Sequence, residues 1–227
     1  MSTTETDEQF ERYRNYLRNE IGRLADYVAL YRRIDERKTD YLAEINYAPA
    51  FFSVVTDALF SAIIIWTDKL FDENGQRGIF DFLKFVENNV CMFSIEQLKS
   101  RRNYPDNHWV LDRKRVEGKI TIEKVKKDRE MLKALGCLKS FRIRRDKFHA
   151  HFDREFFFDR KRLTDDAPIT WADLEEVVKV LSEVVNKYSS AYDAHHFEMT
   201  ASNISDLDDV LNGLREHRKY LEGNDVK

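Results

Sequence analysis

The chain has 227 residues, with 38 Lys and Arg against 41 Asp and Glu, giving a formal charge of −3 and a pI near 6.1. It is long enough to bury a real core, and it is no polycation, so any nucleic-acid site must be a local patch. Only 7 Gly and 3 Pro are present, where average usage would give about 16 and about 11. That scarcity excludes β-rich folds, glycine-rich phosphate loops and Pro/Ser linkers, and it favours a single all-α domain.

Residues 1–6 read as a disordered tail. From Asp7 an apolar stripe (Phe10, Tyr13, Leu17, Ile21, Leu24, Val28, Tyr31, Ile34) recurs every three or four residues, which predicts a helix of about 30 residues. Pro49 starts the next helix. Its apolar residues, Phe51 to Phe71, cover most of the circumference, so the expectation is a central, buried core helix. Its longest apolar run, Ala58 to Trp66, is too short to span a membrane. Asp72-Glu73-Asn74-Gly75 is a turn cluster, followed by a short helix carrying Ile79, Phe82, Leu83 and Val86. Ser94 caps another, with Gln97 three residues on.

Residues 101–118 are polar, contain Pro105 and Gly118, and read as the longest loop. Thr121 opens a helix to about Leu135, Gly136 breaks it, and a further segment runs from Leu138 to about Ala150. Thr170 caps a long helix with Asp173 as its capping-box partner and an apolar face from Trp171 to Tyr192. Ser205 opens a last helix, and 223–227 read as a tail. One domain over 7–222 results. Phe156 to Phe158 read either as a short extended piece or as buried aromatics. Cys91 and Cys137 lie far apart and form no CxxC, so both read as reduced thiols. Met1 to Glu8 is polar and acidic, unlike a signal peptide. A cytoplasmic protein is expected.

The segment Ser140 to Asp153 carries the chemistry. Lys139, Arg142, Arg144, Arg145 and Lys147 crowd it, with Arg154, Arg160, Lys161 and Arg162 beyond. Such a cluster suits a phosphate backbone, although a solvated helix face has the same charge. His149 and His151 lie in the same ten residues, and histidine is the side chain that exchanges a proton near neutrality. Asp146 and Asp153 flank them and could orient an imidazole. His149, His151 and Asp153 have the HxHxD spacing of a zinc-hydrolase signature, but Arg154 stands where that signature has its next histidine, and the strands that fold needs are excluded. The preferred chemistry is metal-free phosphodiester cleavage, in which Arg neutralises the phosphate and His shuttles protons. No cofactor or metal is expected.

Arg145-Asp146-Lys147-Phe148-His149-Ala150-His151 resembles the R-[polar]-x4-H motif of the HEPN superfamily, an all-helical group with many RNA-cleaving members. Asp after the arginine and x-Asp after the histidine (Phe152-Asp153) are similar to its abortive-infection U-type branch. Trp66 to Asp72 and Thr170 to Leu174 supply matching context, and the resemblance spans roughly residues 20–200. It implies a HEPN-type helical bundle with extra N- and C-terminal helices. Arg145 would contact the scissile phosphate, Asp146 would orient the catalytic histidine, and His151 would be the general acid or base. Lys139, Arg142, Lys147 and Arg154 would bind RNA. Some related toxins carry a modifiable tyrosine where this chain has Asp153, so regulation at that point is not expected.

Helical spacing alone prefers other pairs. At about 100° per residue, Arg145 and His151 lie about 120° apart, whereas Arg144 with His151, and Arg145 with His149, share a face. Pairing Arg145 with His151 requires the helix to bend or end near His149, or a second protomer to contribute. His149, Asp153 and Arg144 therefore stand as secondary candidates. The functional expectation is a homodimeric endoribonuclease of phage defence or a toxin system, with an RNA substrate and an antitoxin or defence partner. The alternatives are a non-catalytic dimeric sensor or adaptor that binds RNA or a nucleotide, and a purely structural dimer. His195, His196 and His217 are taken as ordinary surface residues.

Overall fold

In a computed structural model, residues 3–75, 77–149 and 160–224 are described. They form helices throughout, with no strand among the described residues. α1 (Thr3–Arg37) begins ahead of the expected Asp7. Its stripe supplies Phe10, Leu17, Ile21 and Leu24, all fully buried. It packs on α3 (Pro49–Leu70), α4 (Ile79–Asn88), α10 (Trp171–Asp193) and α11 (Asp206–Asn224). A one-turn helix, α2 (Leu42–Ile45), sits against α11.

α4, rather than α3, is the helix buried nearly all round. Six of its ten residues are buried, including Ile79, Phe82, Leu83 and Val86 at 0% exposure. Phe10 meets Phe82, Phe85 and Phe93 at ring-centroid distances of 5.4 to 6.5 Å, and Tyr192 at 4.4 Å. These aromatic pairs fix α1, α4 and α10 about one centre.

α3 departs from the sequence expectation. Phe52, Leu59, Ile63, Ile64 and Leu70 turn inward, while Phe51 is 60% and Val54 67% exposed. Ser53, Thr56, Asp57 and Ser61 break the apolar run, yet the mean hydropathy over Pro49–Leu70 is still 1.8. By length and composition α3 is therefore long enough to cross a bilayer, contrary to the reading from Ala58 to Trp66. The apolar excess was real, but it lies on two faces, and the core takes only one.

α5 (Ile95–Arg102) follows a 3-10 turn at Val90–Phe93. The stretch expected as a long loop contains α6 (Trp109–Glu117). Its local signals were a His108 N-cap, whose ring nitrogen accepts from the Val110 N–H at 3.3 Å, and ion pairs Arg115–Asp112 and Arg113–Glu117 one turn apart. Val110 and Leu111 make a small separate core with Leu98. With only two buried residues, α6 has too narrow an apolar stripe for periodicity to reveal it.

α7 (Ile122–Lys133) starts at the Thr121 cap, and α8 (Leu138–Arg144) follows. Arg145–His149 then form a π-helical turn. α9 is Arg160–Asp166. Thr170 and Asp173 make the expected reciprocal capping box at the start of α10.

Candidate functional site

The candidate motif lies where α8 passes into the π turn, against the C-terminal end of α3. α3 is fixed there by its own side chains. The Trp66 indole N–H donates to Glu20 of α1 at 2.8 Å, and the Lys69 ammonium lies 4.5 Å over the Trp66 ring. Just beyond the helix, Asp72 shapes the turn by accepting from the Asn74 N–H at 2.9 Å. The chain then returns so tightly that a Cβ on Gly78 would lie 2.9 Å from the Leu70 carbonyl oxygen. This close approach needs glycine at the start of α4.

Asp68, one helical position before Lys69, points to α8 and is only 11% exposed. It accepts a hydrogen bond from Arg145 Nη1. The Asp146 carboxylate takes the other edge of the same guanidinium, from Nε at 2.8 Å and Nη2 at 2.6 Å. Burial works against the Arg145 charge, but the bonds to Asp68 and Asp146 outweigh it and hold its pKa above the ordinary value. The arginine is thus fixed, charged and 36% exposed. Asp146, expected to serve a histidine, is itself 52% exposed and faces Arg145.

Arg144 is withdrawn from solvent. It is 9% exposed, donates from Nε to the Ala167 carbonyl at 2.6 Å and lies 5.4 Å over Phe60. Burial lowers its pKa. It ties α8 to the end of α9, which gives this secondary candidate a structural task. Arg142 is exposed and bonds Glu73 at 3.2 Å, while Lys133 bonds the same carboxylate at 2.8 Å. Those two cations, Lys133 foremost, hold the Glu73 carboxyl below its usual range despite partial burial. Lys139 and Lys147 are exposed. His149 is described by its backbone alone. His151, Asp153 and Arg154 lie outside the described residues, as do Phe156 to Phe158.

The structure therefore brings together Arg145, Asp146 and Asp68, with Arg142, Glu73 and Lys133 as a second charged group. Asp68 and Glu73 were not assigned roles from the sequence. Asp68 lies between Thr67 and Lys69 at the end of α3, where it reads in the sequence as an ordinary polar helix terminus. The π turn is also informative. Bonding from i to i+5 slows the advance of side chains round the axis, and such turns are frequent at functional sites.

Cys137, Asp173 and Glu176 place one sulfur and two carboxylate oxygens within 4.8 Å of one another. The chemistry is poor for a cation. Asp173 Oδ2 already accepts from the Thr170 N–H and hydroxyl, both at 2.7 Å. Burial, then Asp173 and Glu176, push the Cys137 thiol up to about 11, so it stays protonated. Elsewhere, His195 is more than an ordinary surface residue. Its Nδ1 lies 2.6 Å from Arg102 Nη2, within a network in which Asp193 also binds Arg14 at 2.9 Å.

No curated protein and no solved structure gives a significant match. The family model HEPN_AbiU2, described as AbiU2, matches residues 7–218. That span takes in every helix from α1 into α11, including the α3 and α8 ends that carry Asp68 and Arg145. The all-helical architecture agrees with a HEPN domain, and the chain belongs to the AbiU2 family of HEPN proteins, the group associated with abortive infection.

Proposed function

We propose that this protein is a metal-independent endoribonuclease of phage defence or a toxin system, working in the cytoplasm as a homodimer. The observation that carries the reading is Arg145, a charged and partly exposed guanidinium held in place at the motif by Asp68. Such a preorganised cation suits charge developing on a phosphate during cleavage. His151 would exchange the proton with the ribose 2′-hydroxyl or the leaving oxygen, with His149 and Asp153 as its neighbours in sequence.

A homodimer is supported by the outer face of α3. Phe51, Val54 and Ala58 form an exposed stripe at helical spacing, and Leu42 and Tyr47, shortly before it in the chain, are 58% and 57% exposed. Contiguous exposed apolar surface of this kind marks an interaction site. Asp57 within the stripe is a poor residue for lipid, which favours a protein occupant. The same helix carries Asp68, about 15 Å beyond Ala58 along its axis, so a second copy on this face would bring its own motif toward the first.

The test is incubation of purified protein with RNA in EDTA. Cleavage that persists in EDTA and is lost in both Arg145→Ala and His151→Ala is expected. Cleavage unchanged in both variants would overturn the reading. Salt-sensitive RNA binding without cleavage would instead mark a sensor or adaptor, and the neutralisation of Arg145 by two carboxylates is the observation that favours that second reading.

A further inference from the structure

The connection between α10 and α11 has the pattern of a strand without a partner. Phe197, Met199 and Ala201 turn inward, while His196, Glu198, Thr200 and Ser202 are exposed. That period of two belongs to extended backbone. Two side chains pin the segment. Asn186 of α10 donates from Nδ2 to the Phe197 carbonyl at 2.9 Å, and its Oδ1 accepts from the Phe197 N–H at 2.7 Å. Asp26 of α1 accepts from the Ser202 N–H at 3.0 Å. The segment is therefore a strap laid obliquely over the seam between the two helices.

In extended backbone, successive N–H and C=O pairs point to opposite edges. Phe197 spends its pair on Asn186, so Met199 and Ala201 direct theirs to that same edge, facing α10. Glu198 and Thr200 share the other edge with Ser202, facing Asp26. The backbone of residues 198–201 makes no hydrogen bond among the described residues. Such an edge is a template for another chain.

A groove of 480 Å³ opens along the α10 edge of the strap, lined by Ala25, Val28 and Ala29 of α1 and by Val178 and Ser182 of α10. Its rim charges answer one another: Arg32 pairs with Glu175 and Glu36, and Lys179 faces Glu183 at 4.0 Å. An uncharged occupant complements a rim balanced in this way. Ser182 Oγ is buried in the wall without a hydrogen-bond partner among the described residues. A buried unpaired hydroxyl is unfavourable, and an occupant with its own donors and acceptors relieves it. From Glu175 to Asn186 the α10 wall advances about 16 Å, the length of about five extended residues.

We infer that the strap is a docking edge for a partner protein, which adds an extended, uncharged segment beside Met199 and Ala201. Backbone hydrogen bonds to the strap hold the segment, and apolar side chains at its alternate positions seat on Val28 and Val178. The site is separate from the Arg145 motif and does not depend on RNA cleavage.

The probes are acetylated and amidated heptapeptides that alternate Thr with Val, Leu or Phe, titrated into isotope-labelled protein. Saturable binding by at least one is expected, shifting the amide resonances of Met199 and Ala201 more than those of Glu198 and Thr200. Methylating the peptide nitrogens should weaken that binding by about tenfold or more, the scale of a lost backbone hydrogen bond with its partner left unpaired. Ala201→Pro, which removes one N–H of the docking edge, and Ala29→Leu, which fills the floor, should each do the same. Glu198→Gln, on the other edge, and Arg145→Ala should bind as the wild type does. Where Ala201→Pro melts early, Ala29→Leu decides, because leucine is a good helix former. Absence of saturable binding by every peptide at millimolar concentration, or full binding by Ala29→Leu, would overturn the proposal. Equal binding of the methylated peptides would show an apolar cleft without strand pairing. A dimer that Ala201→Pro dissociates in sedimentation velocity would give the edge to a second copy of the chain. Either result would overturn the partner segment.

Discussion

The Arg145 guanidinium is gripped from both edges, and its buried partner is Asp68 of α3 rather than its sequence neighbour Asp146. The asymmetry matters. Asp68 is 11% exposed and fixed by a helix packed on α1, whereas Asp146 is 52% exposed and can swing into water. A phosphate arriving from solvent would therefore replace Asp146 and leave Asp68 as the brace. Asp68→Asn keeps the shape and removes the charge. Under the proposed function, kcat on RNA is expected to fall by about 10²-fold with little change in KM, because small misplacement of a positioning group carries that magnitude. Single-turnover cleavage with a far-UV circular dichroism control measures it. An unchanged kcat in a folded variant would deny Asp68 the role.

The outer stripe of α3 gives a second expectation. Val54 is 67% exposed, so a charge there leaves the folded protomer intact. Val54→Asp is expected to convert a dimer to a monomer in light scattering while the circular dichroism spectrum stays helical. RNA cleavage should fall with it, since the proposed cleft is shared. A Val54→Asp protein that remains dimeric would place the interface elsewhere.

The α3 face and the motif also show what the sequence could and could not reveal. Periodicity placed α1, α3, α4, α7 and α10, because each carries a wide apolar stripe, and Thr170 with Asp173 marked the start of α10 to the residue. The same periodicity misjudged α3: it registers apolar residues, not what covers them, so Phe52 and Phe51 look alike although one is 5% and the other 60% exposed. α6 was missed because its stability is local, from a histidine cap and ion pairs, with little apolar signal. At the motif, Arg145 and Asp146 were legible as a sequence pattern. Asp68 was not, because its contact with Arg145 joins positions 77 residues apart and depends on how α3 and α8 cross.

The aromatic centre supplies a stability expectation. Phe10 is fully buried and its ring meets four others. Phe10→Ala leaves a cavity where α1, α4 and α10 join and should cost about 3–5 kcal/mol. At about 2–4 °C per kcal/mol for a domain of this size, the melting temperature would fall by about 6–20 °C. Phe51→Ala, on the exposed face, should shift a monomeric variant by no more than about 0.5 kcal/mol. Calorimetry on both variants in the Val54→Asp background separates core from interface. Equal losses would contradict the burial pattern.

α11 is held to α1 by charge, and this makes its attachment sensitive to acid. Asp208 binds Arg37 Nε at 2.7 Å and also Arg33, and hydrogen bonds from Arg37 and Arg33 lower its carboxyl pKa to about 2. In the unfolded chain an aspartate titrates near 3.9. The folded value is the lower one, so the stabilising contribution is complete above about pH 4 and is lost as pH falls toward about 2. Asp208→Asn removes that contribution at every pH. The difference in denaturant midpoint between wild type and Asp208→Asn is therefore expected to be largest at pH 5 and above and to shrink by pH 3. A difference that stays constant between pH 5 and 3 would show that Asp208 acts through something other than its charge.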